Sequence, residues 1–269
     1  MRKENGVLTY VTEGDLKLLK SNPDEFWKGV TKIGNFAFAY CKNLTSITIP
    51  EGVTKIGEHA FKCCESLTSI TIPKSVTKIE WSAFLYCSSL KSVTIPEGVT
   101  KIGGYAFHGC ESLTSITIPE GVTEIEWSAF LYCSSLKSVT IPEGVTKIGE
   151  SAFEHCESLT SITIPKSVTK IECMAFYDCS SLKSVTIPEG VTEIEWSAFK
   201  GCSSLTSITI PNSVRWIGNN AFSDCSNLRE VIIPEGVKIA KDAFENCPNL
   251  KITWVKANSE ENDENEERE

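Results

Sequence analysis

A proline recurs every 23 residues along most of the chain. Nine prolines follow this spacing: Pro50, Pro73, Pro96, Pro119, Pro142, Pro165, Pro188, Pro211 and Pro234. A fixed period of roughly 20 to 50 residues is typical of a solenoid, in which each repeat forms one coil and stacks on the next. A degenerate first unit begins at Trp27 and a shortened last unit begins at Pro234. The spacing therefore predicts one stack of about ten coils over residues 27–257.

The apolar residues of each unit predict the course of one coil. In Ser69-Ile70-Thr71-Ile72 polar and apolar residues alternate, which predicts a strand with both isoleucines buried and both hydroxyls exposed. The next apolar pair, three residues apart as in Val53 and Ile56, favours a short second extended or turn-like side. Ala-Phe followed by Cys and Leu at spacings of three favours one or two helical turns on the third side. Parallel strands of successive coils would then form one long sheet.

The complete pattern resembles a known repeat family. Leu-x-x-Ile-x-Ile-Pro-x-x-Val-x-x-Ile-Gly-x-x-Ala-Phe-x-x-Cys-x-x-Leu is similar to the BspA-type leucine-rich repeat over about residues 27 to 255. An ordinary leucine-rich repeat has Asn or Cys shortly after the strand, where this chain has Gly52 or Ser75. The resemblance implies a repeat solenoid of the α/β leucine-rich-repeat type, with a curved parallel β-sheet and short extended and helical segments on the other sides. It also implies a non-catalytic binding or adhesion role, because family members are mostly surface-exposed proteins of bacteria and some protists.

The two ends of the chain differ from the repeats. Residues 1–26 are predicted to cap the solenoid with a short strand at Val7–Val11 and a helix that begins near Thr12. Residues 250–255 favour a closing strand, so the solenoid of ten units extends to residue 257. Residues 258–269 carry seven acidic residues and one Arg, which predicts a disordered acidic tail.

Charge and hydropathy exclude several classes of protein. The formal net charge is −9 and the pI about 5.1, so nonspecific binding to nucleic acid is not expected. No apolar run reaches the roughly 18 to 20 residues that a membrane helix needs. The first residues lack the apolar core of a secretory signal, which favours a cytoplasmic protein or a mature fragment, whereas the family resemblance implies the cell surface. We expect a monomer.

Ten of the twelve cysteines share one repeat position and form a predicted ladder. Zinc sites need paired ligands, and this spacing does not supply them, so we expect no metal and no cofactor. The favoured interpretation is that the cysteines are small buried thiols in a reducing compartment. Cys63 stands beside the ladder and is the thiol expected to react most readily. The ladder positions are Cys41, Cys64, Cys87, Cys110, Cys133, Cys156, Cys179, Cys202, Cys225 and Cys247.

The chain shows no pattern that favours catalysis. His59, His108 and His155 occupy three different repeat positions, which predicts that they point in different directions. The glutamates recur by duplication, as on a solvated face, and no nucleophile elbow or phosphate loop is present. We therefore expect a protein that is not an enzyme.

The exposed face of the strands is the first candidate binding surface. It would be rich in hydroxyls and would carry a line of positive charge, which suits a negatively charged or extended polar protein partner. The alternative is that hydroxyls and lysines only keep the sheet soluble. An ice-binding role for the hydroxyl rows is a remote alternative. The candidate residues are Lys91, Ser92, Thr94, Ser115, Thr117, Lys137, Ser138, Thr140, Ser161, Thr163, Lys183, Ser184, Thr186 and Arg229.

Aromatic residues give the second candidate surface. Trp81, Trp127 and Trp196 share one repeat position, and Tyr86 and Tyr132 follow the first two after five residues. Exposed Trp and Tyr are frequent anchors of protein interfaces, so these residues predict a binding edge. They could equally pack over neighbouring coils.

For the chain as a whole, the alternative to a protein-binding solenoid is a structural or self-associating repeat array.

Overall fold

The computed structural model describes residues 1–256, which form one stack of coils. Two strands from each repeat build two parallel sheets, and about 11 turns are present when the N-terminal strand that joins the stack is counted. This confirms the predicted repeat solenoid. The predicted disordered tail at 258–269 lies outside the described residues, and the division into cap, solenoid and tail stays a prediction.

The first sheet contains the strands that precede each proline. Their central Ile or Val is turned into the core, while Ser and Thr on either side of it are exposed. The strands are parallel and in register, with Ser115 between Ser92 and Ser138. We call their outer surface the sheet face. The strands are Ser46–Thr48, Ser69–Thr71, Ser92–Thr94, Ser115–Thr117, Ser138–Thr140, Ser161–Thr163, Ser184–Thr186, Ser207–Thr209, Glu230–Pro234 and Lys251–Val255.

The first sheet is not continuous along the whole stack. Its ladder is interrupted between Ser138–Thr140 and Ser161–Thr163, and again between Ser184–Thr186 and Ser207–Thr209. The prediction of one long sheet is therefore wrong in this respect, although the coils remain stacked through the core.

The second sheet consists of two-residue strands, each ending in a buried or half-buried isoleucine. A Lys, Glu or Trp precedes the isoleucine and points outward. This sheet is interrupted once, between Lys147–Ile148 and Lys170–Ile171. The strands are Lys32–Ile33, Lys55–Ile56, Lys78–Ile79, Lys101–Ile102, Glu124–Ile125, Lys147–Ile148, Lys170–Ile171, Glu193–Ile194, Trp216–Ile217 and Lys238–Ile239.

The third side of each coil is a series of turns, so the predicted helical segments are wrong. In the third repeat Cys87 N–H donates to the carbonyl of Phe84, three residues earlier, at 3.1 Å. Phe84 N–H instead donates across to Ala106 of the next coil at 2.8 Å. An α-helix needs bonds to the fourth preceding residue, and left-handed backbone at Ser82 (φ 55°) and Tyr86 (φ 59°) interrupts any helix here.

A ladder of phenylalanine rings fills the core behind these turns. Ten rings from Phe38 to Phe244 stack with centroids 4.9–5.6 Å apart and planes within 10° of parallel. The cysteine ladder lies beside it, and Cys133 S–H donates to the carbonyl of Phe107 at 3.2 Å. Burial raises the pKa of these ladder thiols, and that of Cys41 to about 12. The thiols therefore act as small apolar groups that also satisfy carbonyls.

The two ends of the stack are built differently. Strands β1 (Arg2–Glu4) and β2 (Val7–Tyr10) form an antiparallel hairpin, and β2 pairs with Lys32–Ile33. Helices α1 (Glu13–Ser21) and α2 (Pro23–Trp27) follow. The predicted strand and helix are present, with Thr12 and Asp15 forming the helix N-cap. Strand β1 and helix α2 were not predicted.

Among residues 1–256 no further element covers the last coil. Its core residues Phe244, Cys247 and Leu250 are only partly buried, whereas the corresponding residues of the inner coils are fully buried. Within the same residues the strand Lys251–Val255 pairs on one side, with Glu230–Pro234, and Trp254 is 50% exposed.

Candidate binding surfaces

The sheet face presents two unbroken rows of hydroxyl groups. The serine and threonine of every three-residue strand are exposed, because the central residue between them takes the inward position. Within residues 1–256 their side chains make no hydrogen bond to the protein. The candidate serines and threonines are therefore brought together on one surface, and their hydroxyls are free to meet water or a partner.

A line of cations borders these rows at the start of the strands. Lys91, Lys137, Lys183 and Arg229 are exposed and occupy every second coil. Threonines fill the coils between them, and Thr114 donates its hydroxyl back to the carbonyl of Lys91 at 3.3 Å. None of the four cations forms an ion pair in the part of the chain that the structure describes.

Lysines on the second sheet differ from this line because carboxylates hold four of them. Lys101 lies 2.6 Å from Glu126 and 2.9 Å from Glu124, and the hydrogen bonds that it donates to these carboxylates raise its pKa. Lys170 is paired in the same way with Glu193 and Glu195. The four cations of the sheet face are thus available to a partner. The four paired lysines of the second sheet are instead neutralised by carboxylates of the same chain; they are Lys55, Lys101, Lys147 and Lys170.

A groove of about 530 Å³ opens on the sheet face at the first interruption of the ladder. Its lining includes Ser138, Thr140, Ser161 and Thr163, together with the carboxylates Glu120 and Glu143. Four of the candidate hydroxyl residues therefore line one groove.

The aromatic candidates form a connected group on the turn side. Tyr105 stands between Trp81 and Trp127, with ring centroids at 6.2 and 4.5 Å. Both indoles lie against Gly104, where an added Cβ would approach them to 3.1–3.2 Å. The glycine therefore lets two tryptophans from alternate coils converge.

A second row of rings runs beside the first. His108 lies 5.0 Å from Tyr86 and 5.7 Å from Tyr132, and it contacts Tyr105 of the first row at 5.2 Å. Tyr132 stacks on His155 at 4.6 Å with planes 4° apart. We call Trp81, Tyr86, Tyr105, His108, Trp127 and Tyr132 the aromatic strip.

The aromatic strip differs from the sequence prediction in two ways. Trp196 is 47% exposed but makes no ring contact within residues 1–256, so it is separate from the other four candidates. Tyr105 and His108 were missed. The available signal was that the large residue alternates between neighbouring repeat positions, Trp81 in one coil and Tyr105 in the next.

The three histidines lie on the same side of the solenoid, which corrects the prediction that they point apart. The repeat positions of His59, His108 and His155 all fall on the turn segment, and each ring joins the same chain of aromatic contacts. Burial lowers the pKa of His59 and His108. Among residues 1–256 no three His, Cys, Asp or Glu side chains cluster closely enough to hold a metal ion.

The described residues include no helix with the length and apolar character required to cross a bilayer. This agrees with the absence of a long apolar run in the sequence.

Comparison with known proteins identifies the repeat. The family model described as BspA type leucine-rich repeat region matches residues 31–160 and 146–264. A search of curated proteins found no match. The crystal structure of a leucine-rich repeat protein from Bacteroides ovatus is 34% identical, with a TM-score of 0.79 over 84% of this chain and 59% of that one. A leucine-rich repeat protein of T. pallidum is 30% identical, with a TM-score of 0.56 over 73% of this chain and 82% of that one.

The family match extends over most of the chain, and the solved structures share its coil. This chain spans 59% of the length of the Bacteroides ovatus protein. The chain belongs to the BspA-type leucine-rich repeat family.

Proposed function

We propose that this chain is a non-catalytic, monomeric protein-binding solenoid that engages its partner through the sheet face. The proposal covers both an adhesin-like receptor and a scaffold. The partner would present an extended polar segment with carboxylates on the side that meets Lys91, Lys137, Lys183 and Arg229.

The line of cations is the observation that carries this proposal. Four exposed positive charges recur at every second coil of an acidic protein, and none has an acidic partner within residues 1–256. Complementary charge steers association and fixes the register of a bound segment. Lysines kept only for solubility would not need to fall on one line beside two rows of unbonded hydroxyls.

Beside the line of cations, hydroxyl groups and a groove could also contact a partner. Hydroxyl groups can donate to or accept from a partner's backbone, and the groove between Ser138–Thr140 and Ser161–Thr163 can take a side chain. The family supports a binding role because it is a repeat scaffold and not a known catalytic fold.

Charge reversal on the sheet face tests the proposal. Immobilised wild type would be exposed to extracts, and a protein that it retains would be purified and titrated by calorimetry against the wild type and the triple variant K91E/K137E/K183E. We expect the triple variant to lose at least about tenfold in affinity, corresponding to 1.4 kcal/mol. Raising the salt concentration should weaken the wild-type complex.

The matched control reverses three exposed lysines of the second sheet, in the variant K32E/K78E/K238E. It changes net charge by the same amount and makes no change to the sheet face. Retained binding in this control, together with loss in K91E/K137E/K183E, supports the proposal. Equal loss in both variants, or loss in neither, contradicts it.

A further inference from the structure

The aromatic strip exposes more apolar surface than the fold requires. The internal ladder already stacks a buried ring in every coil, yet the strip adds rings outside it. Trp127 is 46% exposed, and Tyr86 and Tyr132 are exposed to nearly the same extent. Half-buried Tyr105 and buried His108 connect these rings with Trp81. A cluster of exposed aromatic rings of this kind marks an interaction site.

The aromatic strip suits one class of ligand. Successive rungs of the core lie 5.3–5.4 Å apart at this level, so the coils that carry Trp81 and Trp127 lie about 11 Å apart along the stack, while the two indoles converge over Gly104 between them. Tyr86 and Tyr132 stand on the same two coils, on either side of His108. A polyproline II segment presents the same side every third residue, about 9.3 Å on, which is within about 2 Å of the repeat of two coils, and such segments dock on aromatic surfaces.

Carboxylates follow the strip on the next two coils. Glu150 comes immediately after the Trp127 coil, and the backbone carbonyl of Glu150 accepts from Ser128 N–H at 2.8 Å. Glu154 and Asp178 lie 3.7 Å from the two ring nitrogens of His155. Within residues 1–256 these three acids form no ion pair with Lys or Arg. The strip therefore ends in a group of acids that a cationic residue would complement.

We propose that the aromatic strip binds a proline-rich segment of a partner protein in the polyproline II conformation, with a basic residue at one end. Its prolines rest on the Trp81–Trp127 and Tyr86–Tyr132 pairs, and its Arg or Lys meets Glu150, Glu154 and Asp178. The inference deepens the proposed function, on which it rests, by naming a partner class for a second surface of the same solenoid. An uncharged glycan could stack on the rings but would leave the acids unused.

A synthetic peptide tests this assignment directly. The distance from Trp81 to Asp178 is about four coils, or about 21 Å, which a polyproline II chain spans in about seven residues. The probe is therefore seven prolines followed by two arginines, titrated into the full chain with tryptophan fluorescence and calorimetry as readouts. We expect saturable binding that a peptide with Gly and Ser in place of the prolines does not show.

Variants locate the site. Trp127→Ala and Tyr132→Ala should each weaken the proline–arginine peptide about tenfold or more, and the triple change E150Q/E154Q/D178N should remove the advantage of the arginines over two glutamines. The matched control is Trp196→Ala, because Trp196 is equally exposed but lies apart from the strip. Urea unfolding of each variant would show that the fold is kept.

Three results would overturn the assignment: no binding of the peptide at millimolar concentration, equal binding of the Gly/Ser peptide, or saturable binding of chitohexaose in its place. The variant K91E/K137E/K183E should bind the peptide as the wild type does, because its changes lie on the sheet face. If the peptide does not bind but charge reversal on the sheet face abolishes partner binding, the aromatic-strip assignment is wrong and the proposed function is still supported.

Discussion

Each inner phenylalanine of the ladder is stacked between the copies of itself in the two neighbouring coils. Phe130 is fully buried and stacks on Phe107 at 5.4 Å and on Phe153 at 5.2 Å. Its carbonyl accepts both from Cys133 N–H of the same coil and from Cys156 S–H of the next. The repeat spacing predicted both ladders, but the thiol bonds depend on backbone geometry that the residue pattern does not contain.

Replacement of this ring tests the inside–outside assignment. Phe130→Ala should destabilise the chain by about 3 to 5 kcal/mol, because it removes a large buried side chain from a stack that cannot close over the gap. The measurement is the shift of the urea unfolding transition. The control Trp254→Ala should cost far less, since that side chain is half exposed. A loss below about 1 kcal/mol for Phe130→Ala would show that the rings do not carry the core.

At the scale of the element, the strands were predictable and the turn segment was not. Period-two alternation in Ser-Ile-Thr-Ile has one structural solution on a buried sheet, so the sheet face and its candidate residues followed from the sequence. Spacings of three and four occur in a helix and also in this turn. The turn forms instead of the helix because the backbone is left-handed at residues such as Tyr86, Tyr132 and His155. Tyr and His are not residue types that predict a left-handed backbone, so the sequence did not reveal it.

The candidate surfaces were predictable to different degrees for the same reason. Residues of the sheet face share one repeat position per row, so stacking alone aligns them. The aromatic strip draws on different repeat positions in alternate coils, such as Trp81 and Tyr105. Their contact depends on how the turn folds and on the space that Gly104 leaves.

Ser82 offers a test of the turn geometry. It has φ 55°, and its buried hydroxyl has no hydrogen-bond partner among residues 1–256. Ser82→Gly should stabilise the chain by about 1 kcal/mol, because relief of the left-handed backbone and of the unpaired hydroxyl exceeds the entropy that glycine gains on unfolding. Ser82→Ala, which keeps the backbone cost, separates the two effects. Thermal unfolding measures both variants, and a clear destabilisation by glycine would rule out the left-handed turn.

At the scale of the whole molecule, residues 1–256 include helices that cover the first coil and no element that covers the last one. Phe26 and Trp27 of helix α2 cover Phe38 with ring centroids 6.1 and 6.2 Å away. At the other end Phe244 is partly buried, and its N–H has no acceptor within residues 1–256. Because each coil is held by its neighbours, stability should fall towards the open end.

Hydrogen exchange should show this gradient. The amides of Phe107 and Phe130 donate to the next coil at 2.8 Å and should be among the slowest to exchange. Amides around Phe244 should exchange fastest among the turn segments, because local opening there disrupts only one interface. Mass-spectrometric exchange with peptides from each coil measures the order. Uniform protection along the stack would mean that the chain opens only as a whole.

Lysine and threonine alternate from coil to coil along the sheet face, and this alternation determines how many residues the chain can gain or lose without disturbing the row. Lys91 and Lys137 are 46 positions apart, as are Lys137 and Lys183, so two coils form the smallest complete cycle of the line of cations. Loss of residues 96–141 would join Ile95 to Pro142. Lysine and threonine would still alternate from coil to coil in this row. Loss of one coil would set two lysines or two threonines side by side. A gene that grows or shrinks in steps of 46 codons can thus alter the length of the sheet face while keeping the spacing of its cations, although loss of residues 96–141 would remove Trp127 and Tyr132 from the aromatic strip.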